Sequence, residues 1–364
     1  MDGGSRVNKN FKNGGFFLRN VVVKKLFDMM ENSLACIPTC FDGSFRHPFG
    51  KHSTRAVDWI DIARFAIPAL FVGKFQDHGA RVAMLSIVAF IQTVLHKDLQ
   101  ATQLVNMKRS LEVWTTYLLN QVDEGKLPVS VFTPNEHYLQ HIIEIIKRLG
   151  PPTYYSPRCM ERTIGLYKRR KRSTKDPGVE AGNIMVKLAA RNNLTLKNNC
   201  EQVDRPDLGN DLTPQTINLI SDSLDAPIEI STQLMIDGIT YGSTRHRSIS
   251  GRTQSFAVFK VGIQRSHSII TCHYAGDVLF YFKWEQHFYA VARLVQLTFG
   301  SNNLMYCKPH VSDQSRTVIL HASTIIGPAG RLHQQELGVD YIFWESMTIG
   351  VDTCQEACGS LDGL

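Results

Sequence analysis

The feature that most constrains the fold of this chain is a change in hydrophobic periodicity about halfway along it. Up to residue 191, apolar residues recur every three or four positions, which is typical of amphipathic helices. From about residue 229 they form short β-branched and aromatic runs between turn residues, which is typical of strands. We therefore predict an α+β fold, with a mostly helical N-terminal half followed by a small antiparallel β domain.

The domain boundaries follow from the same change. We predict a helical region over residues 1–195, a polar linker over 196–230, a small β-rich domain over 231–350 and a tail over 351–364. The composition, with 43% hydrophobic and 20% charged residues, is that of a chain which buries a sizeable core. Disorder along the whole length is therefore not expected.

Local signals place the individual elements. Helices are predicted over residues 16–34, 58–67, 80–95, 102–122, 134–149 and 179–191, with another that begins near Pro157. Pro68 should interfere with the second helix, because proline has no N–H to donate. Strands are predicted over residues 255–263, 267–275, 277–284, 287–297, 303–309 and 316–322.

The most apolar stretch, residues 62–95, could be mistaken for a membrane segment. Charged residues such as Lys74, Asp77 and Arg81 divide it into pieces too short to span about 30 Å of hydrocarbon. We predict a buried helical hairpin and no transmembrane segment. The N-terminus has no apolar core of the kind that secretion requires, so we expect a protein that is not secreted.

Eight cysteines lie at irregular intervals along the chain. In a reducing compartment we expect them as free thiols rather than disulfides. Cys36 and Cys40, with His47 and His52 after them, could form a Cys2His2 zinc site. Zinc sites usually have tighter spacings, so unpaired thiols are the preferred interpretation.

The segment 132–188 holds the candidate site residues. His137 and His141 are four residues apart on a predicted helix and share a face. They are either ordinary surface histidines or members of one site. Glu161 lies near the start of the next predicted helix, where the unpaired N–H groups favour a carboxylate even without a catalytic role.

A dense basic run follows Glu161, with six basic residues among the nine from 167 to 175. They are Lys168, Arg169, Arg170, Lys171, Arg172 and Lys175. A solvated helix end is the simpler explanation. The positive charges in so dense a run repel one another unless an anion neutralises them, which favours the alternatives of phosphate contact and a nuclear-import signal. The formal charge of +7 fits a polyanion partner without requiring one.

The order of these motifs resembles a known family. His-Tyr-Leu-Gln-His (137–141), Leu-Gly-Pro (149–151), Tyr-Ser-Pro-Arg-Cys-Met-Glu-Arg-Thr-Ile-Gly-Leu-Tyr-Lys (155–168) and Pro-Gly-Val-Glu-Ala-Gly-Asn-Ile (177–184) resemble the end of the transposase domain in CACTA-type elements. They are also similar to transposase-domain proteins of mucoralean fungi. Residues 41–70 resemble the insert that precedes this block, so the resemblance covers about residues 16–192.

The resemblance implies an RNase H-like fold in which three carboxylates hold two Mg²⁺ or Mn²⁺ ions for DNA cleavage and strand transfer. Glu161 matches the third carboxylate, so it is the candidate catalytic and metal-binding residue. His137 and His141 match the histidine-bearing helix of the family, with no assigned role. Asp42, Asp58 and Asp61 do not lie in the Asp-x-Met-His context of the earlier acids. We therefore expect a truncated chain that is inactive by itself.

The function that the resemblance implies is cut-and-paste DNA transposition, with DNA as the partner. The expected location is the nucleus, or otherwise the cytoplasm. Formation of a homo-oligomer is left open. A non-catalytic DNA- or chromatin-binding module and a decayed transposon relic are the alternatives. In the β-rich half, alternating aromatic and basic residues could form a nucleic-acid surface. The packed face of a sheet is the preferred interpretation. The basic residues concerned, together with one histidine, are Arg245, His246, Arg247, Arg252 and Lys260.

Overall fold

The computed structural model describes most of the chain. The described residues are 14–41, 43–50, 53–156, 164–165, 168, 176–198, 229–236, 239–246, 251–265, 268–300, 304–308, 315–347 and 357–358. Helices occupy the N-terminal half and an antiparallel sheet occupies the C-terminal part, so the chain is of the α+β class.

Most of the helices begin and end close to their predicted bounds, but a four-residue helix after Pro151 was not predicted. They are α1 (Asn20–Asn32), α2 (Ala56–Asp61), α3 (His78–Val94), α4 (Ala101–Asp123), α5 (Pro134–Leu149), α6 (Pro152–Tyr155) and α7 (Pro177–Asn198). α7 continues seven residues past the predicted end at residue 191 and so enters the predicted linker. The helix predicted to begin near Pro157 lies largely outside the described residues.

The expectation that Pro68 limits its helix is wrong. α2 continues directly into a π-helix over Ile62–Phe71, and Pro68 lies within it. A π-helical turn takes one residue more than an α-helical turn, and such turns absorb residues that the α-helical hydrogen-bond ladder cannot accommodate. The π-helix is mostly buried, and packing of its apolar side chains in the core stabilises the helical conformation on both sides of Pro68.

Twelve short and long strands are described in the C-terminal part. They are β1 (Glu229–Ser231), β2 (Gln233–Ile236), β3 (Ile239–Gly242), β4 (Phe256–Arg265), β5 (Ser268–Trp284), β6 (His287–Val295), β7 (Thr298–Phe299), β8 (Met305–Cys307), β9 (Ser315–His321), β10 (Ile325–Gln334), β11 (Val339–Trp344) and β12 (Ala357–Cys358). The main sheet has the order β7-β8-β11-β10-β4-β5-β6-β9, and β1 and β12 also pair with β5. All of these pairings are antiparallel except that of β12 with β5.

The two strands predicted over 267–275 and 277–284 are a single strand, β5. The predicted break at Gly276 is wrong, because this glycine and both of its neighbours pair with successive residues of β6, with Gly276 opposite Leu294. A Cβ at Gly276 would stand 2.2 Å from the carbonyl oxygen of Arg293. Glycine is therefore required here by the close approach of two strands, and not by a turn.

The helices and the sheet share one hydrophobic core. Side chains of α1 and the π-helix pack with side chains of β4, β10 and β11 in the same buried cluster. Phe65 of the π-helix stacks on Phe343 of β11 with ring centroids 4.6 Å apart. The predicted regions 1–195 and 231–350 are thus in extensive contact, and their independence as domains stays a prediction.

A second hydrophobic cluster packs α3, α4 and α5 against one another, with Phe90, Met107, Leu111 and Ile146 buried at its centre. The buried helical hairpin predicted within residues 62–95 is formed by the π-helix and α3, which contact each other, and α3 also packs against α4. Within the described ranges, every helix is too short or too polar to cross a lipid bilayer.

Candidate functional site

The histidine helix α5 is positioned by strong local signals. The Thr133 hydroxyl accepts a hydrogen bond from the Glu136 N–H at 3.2 Å, and Pro134 occupies the first turn. The helix ends at Gly150, whose φ of 80° is easily adopted only by glycine. These signals lie within a few residues of the helix ends, which is why the predicted and observed bounds agree.

α5 is attached to the rest of the helical region by one apolar face and one polar contact. Leu139, Ile142, Ile143 and Ile146 pack in the cluster shared with α3 and α4. Trp114 of α4 donates from Nε1 to Glu136 Oε1 at 3.0 Å. Burial raises the pKa of Glu136, and this hydrogen bond opposes part of the rise.

The opposite face of α5 carries the predicted histidine pair. The Nε2 atoms of His137 and His141 are 3.1 Å apart, and the ring centroids are separated by 4.8 Å at an interplanar angle of 79°. Both residues are exposed. The structure therefore brings the two histidines together, as their spacing predicted.

Most of the other predicted site residues lie outside the described residues. These are Glu161, Arg169, Arg170, Lys171, Arg172 and Lys175. Lys168 is described as a helical, exposed residue. The assignment of Glu161 to metal binding and of the basic run to nucleic-acid binding stays a prediction.

The acidic residues Asp58 and Asp61 accept hydrogen bonds from nearby backbone N–H groups. Asp58 accepts hydrogen bonds from the N–H groups of Ser44 and Arg55, each at 2.8 Å, and from the Arg55 guanidinium. Burial opposes ionisation of Asp58, but these hydrogen bonds outweigh it and lower the pKa to about 2. Asp61 accepts from the Gly43 N–H at 2.8 Å. Both carboxylates therefore stabilise the loop before α2. This local role agrees with the absence of the Asp-x-Met-His context around either residue.

The residues of the alternative Cys2His2 zinc site are Cys36, Cys40, His47 and His52. Cys36 and Cys40 are free thiols, and His52 is not among the described residues. Across the part of the chain that the structure describes, no three or more His, Cys, Asp or Glu side chains form a group that could hold a metal ion. The expected Mg²⁺ or Mn²⁺ site depends on Glu161 and stays a prediction.

The basic residues of the β-rich half have different environments. Arg252 is half-buried and donates to the backbone carbonyls of Ile37 and Pro38, each at 2.7 Å, so it connects two parts of the core. The Arg245 guanidinium lies over the Phe280 ring, and Lys260 is exposed on β4. The aromatic residues of β4 and β5, such as Phe259 and Tyr281, are buried. Packing therefore accounts for the aromatic alternation.

A cavity of about 430 Å³ lies between the helical region and the sheet. Arg64 on its wall donates to the carbonyl oxygen of Glu345, and its Nη1 is 3.7 Å from Asp61 Oδ1. Burial, assisted by the positive charge of Arg64, lowers the pKa of His96. The cavity is of small-molecule size and offers groups of both charge signs, so it does not favour a polyanion.

Sequence reasoning missed this cavity. Its walls come from the loop before α2, the π-helix, the residues after α3, β10 and the end of β11. No local motif connects segments so far apart. The only available signal was the unusual presence of Asp61 and Arg64 in an otherwise apolar stretch.

No protein-family model matches the chain, and no curated protein or solved structure is significantly similar to it.

Proposed function

We propose that this chain is a transposase-derived DNA-binding protein of the CACTA type. The observation that carries the proposal is the ordered series of motifs from residue 137 to residue 184. It consists of the histidine helix, the Gly-Pro stop, Glu-Arg-x-x-Gly-x-x-Lys and the basic run. Each motif is short, but their order and spacing together are specific.

The described geometry supports this proposal in two ways. The histidine motif lies on α5, and the helix ends at Gly150 where the Gly-Pro stop begins. In addition, α5, α6 and α7 expose large apolar side chains, including Tyr138, Leu149, Tyr154 and Val186. Such exposure is expected of helices that pack against a further part of a catalytic core or against another subunit.

The proposed chemistry is metal-dependent phosphoryl transfer in an RNase H-like core. Glu161 would supply one of three carboxylates for two Mg²⁺ or Mn²⁺ ions. When bound, one ion would activate the attacking water or 3′-hydroxyl and the other would stabilise the leaving oxygen. Since one carboxylate cannot hold two ions, cleavage needs two further acids. Asp58 and Asp61 are engaged in local hydrogen bonds and are poor candidates for them.

The partner in this proposal is DNA, and the basic run makes the phosphate contacts. Because each neutralised phosphate releases counterions, affinity should fall steeply with rising salt. The same basic cluster would serve for nuclear import. A non-catalytic DNA- or chromatin-binding module is the second candidate. It is favoured by the local structural use of Asp58 and Asp61.

Fluorescence anisotropy with duplex DNA at several salt concentrations tests the shared part of the two candidates. Neutralising residues 168–172 to glutamine should weaken binding across unrelated sequences and reduce the salt dependence. A matched control removes five positive charges elsewhere in the helical region, at Lys108, Arg109, Lys126, Lys147 and Arg148. Equal binding by the two variants would show that net charge, and not the basic run, binds DNA.

A further inference from the structure

The histidine pair on α5 has the separation that one metal ion requires. Two nitrogen ligands at 2.0–2.1 Å from a zinc ion stand about 2.9 Å apart at a right angle and about 3.3 Å apart at the tetrahedral angle. The Nε2 atoms of His137 and His141 are 3.1 Å apart, between these limits. Both rings are exposed, so an ion can reach them from solvent.

The helix fixes the spacing of the two histidine positions before any ion binds. Residues four apart lie one turn apart on the same face, and the backbone hydrogen bonds of the helix maintain that spacing. Packing of Leu139, Ile142 and Ile146 against α3 and α4 fixes the opposite face of α5. Binding therefore needs no backbone rearrangement, which lowers its entropic cost.

We propose that His137 and His141 chelate a transition-metal ion of the zinc class, with water completing the coordination. Imidazole nitrogen suits Zn²⁺, Ni²⁺ and Cu²⁺, whereas Mg²⁺ prefers oxygen ligands. The site is therefore chemically distinct from the carboxylate site proposed around Glu161, and it does not depend on DNA cleavage. The bound ion links two consecutive turns of α5 and stabilises the folded helix by mass action.

Without an ion, the same separation suits a hydrogen bond between two neutral imidazoles, in which one Nε2–H donates to the other Nε2. When the ion binds, both Nε2 lone pairs are directed to the metal. The donating ring then carries its proton on Nδ1, so the number of protons on the pair does not change. The ion thus takes the position between the two Nε2 atoms that the hydrogen-bonded proton held, and nothing is oxidised or released.

Calorimetric titration of the full, metal-free chain with Zn²⁺ tests this site, with the thiols blocked beforehand. We expect one site in the wild-type chain that is weakened about tenfold or more in His137→Ala and in His141→Ala, because each variant keeps one ligand of the chelate. His78→Ala removes an exposed histidine at the start of α3 and should leave the affinity unchanged. Circular dichroism of each variant checks that the helix content of the chain is unchanged.

Histidine-ring nitrogen NMR gives a second measurement that does not rely on truncation. On adding Zn²⁺, the Nε2 signals of His137 and His141 should shift together and before those of other histidines, and excess Mg²⁺ should not reverse the shift. Binding that is as strong in both alanine variants as in the wild type would overturn the proposal. So would Nε2 signals that stay unmoved at saturating Zn²⁺. Failure of DNA binding or cleavage would leave this proposal intact.

Discussion

The guanidinium of Arg252 donates a hydrogen bond of 2.7 Å from Nε to the carbonyl oxygen of Ile37, 215 residues earlier in the chain. Its Nη2 donates to the neighbouring Pro38 carbonyl at the same distance. The backbone N–H of Thr253 also donates to the Ala35 carbonyl at 2.8 Å. The loop before β4 is thus joined to the segment after α1, where helices and sheet share their core.

Replacing Arg252 should therefore destabilise the whole protein. Arg252→Ala leaves the carbonyls of Ile37 and Pro38 without this charged donor, and we expect a loss of about 2–3 kcal/mol in the free energy of unfolding. Arg252→Lys should recover only part, because an ammonium cannot reproduce the forked geometry. Urea denaturation measures the effect, and Arg46→Ala at an exposed site is the control. Identical midpoints for Arg252→Ala and the wild type would contradict this role.

The contact of Phe343 with Phe65 predicts cooperative unfolding of helices and sheet. Phe343→Ala removes a buried ring that also packs against Phe41 and Phe45, and it should cost about 3–5 kcal/mol. Helical circular dichroism and the fluorescence of the sheet tryptophans Trp284 and Trp344, read with Trp59 and Trp114 replaced by phenylalanine, should shift to lower urea together. Phe49→Ala, at a site 71% exposed, should change little. Separate transitions for the two signals in the wild type would mean that the regions fold independently.

The lowered pKa of Asp58 predicts that the protein loses stability in acid. Since its folded-state pKa of about 2 lies below the ordinary value of 3.8, the carboxylate stabilises the fold above pH 4, and this contribution is lost as the pH falls towards 2. Asp58→Asn should cost about 2 kcal/mol at pH 6 and much less near pH 2. Urea denaturation at both pH values measures this, with Asp28→Asn as an exposed control. A difference from the wild type that does not vary with pH would refute the assignment.

Glu161 provides the test of the proposed chemistry. In a longer protein that carries the two further acids, Glu161→Gln should reduce Mg²⁺-dependent DNA cleavage by roughly a hundredfold or more. Replacing a residue that only hydrogen-bonds to a metal ligand already lowers activity by about 10–100-fold, and loss of the ligand itself should lower it at least as much. The fold and the DNA affinity should be retained. Glu144→Gln removes a carboxylate of α5 that pairs with Arg148 and should cleave normally. Wild-type cleavage rates in Glu161→Gln would remove Glu161 from the metal site.

Much of the secondary structure was predictable because its signals are local. The bounds of α5 follow from Thr133, Pro134 and Gly150, each adjacent to the helix end that it determines. The meeting of His137 and His141 follows from helical spacing alone. Five of the described strands, β4, β5, β6, β8 and β9, were recognisable from their β-branched and aromatic residues. The longer strands β10 and β11 were missed, as were the short strands β1, β2, β3, β7 and β12, and the Gly-Pro-Ala-Gly run within β10 is typical of a turn.

What the sequence determined by itself is the class of each segment, the order of the classes along the chain, and the face on which the two histidines lie. Only the tertiary structure decided that Gly276 continues a strand, that Pro68 stays inside a helical segment, and that Phe65 meets Phe343. Periodicity and capping depend on residues within about one or two helical turns of each other. Close strand approach and a shared core depend on contacts between residues far apart in sequence, which become defined only when the whole chain packs.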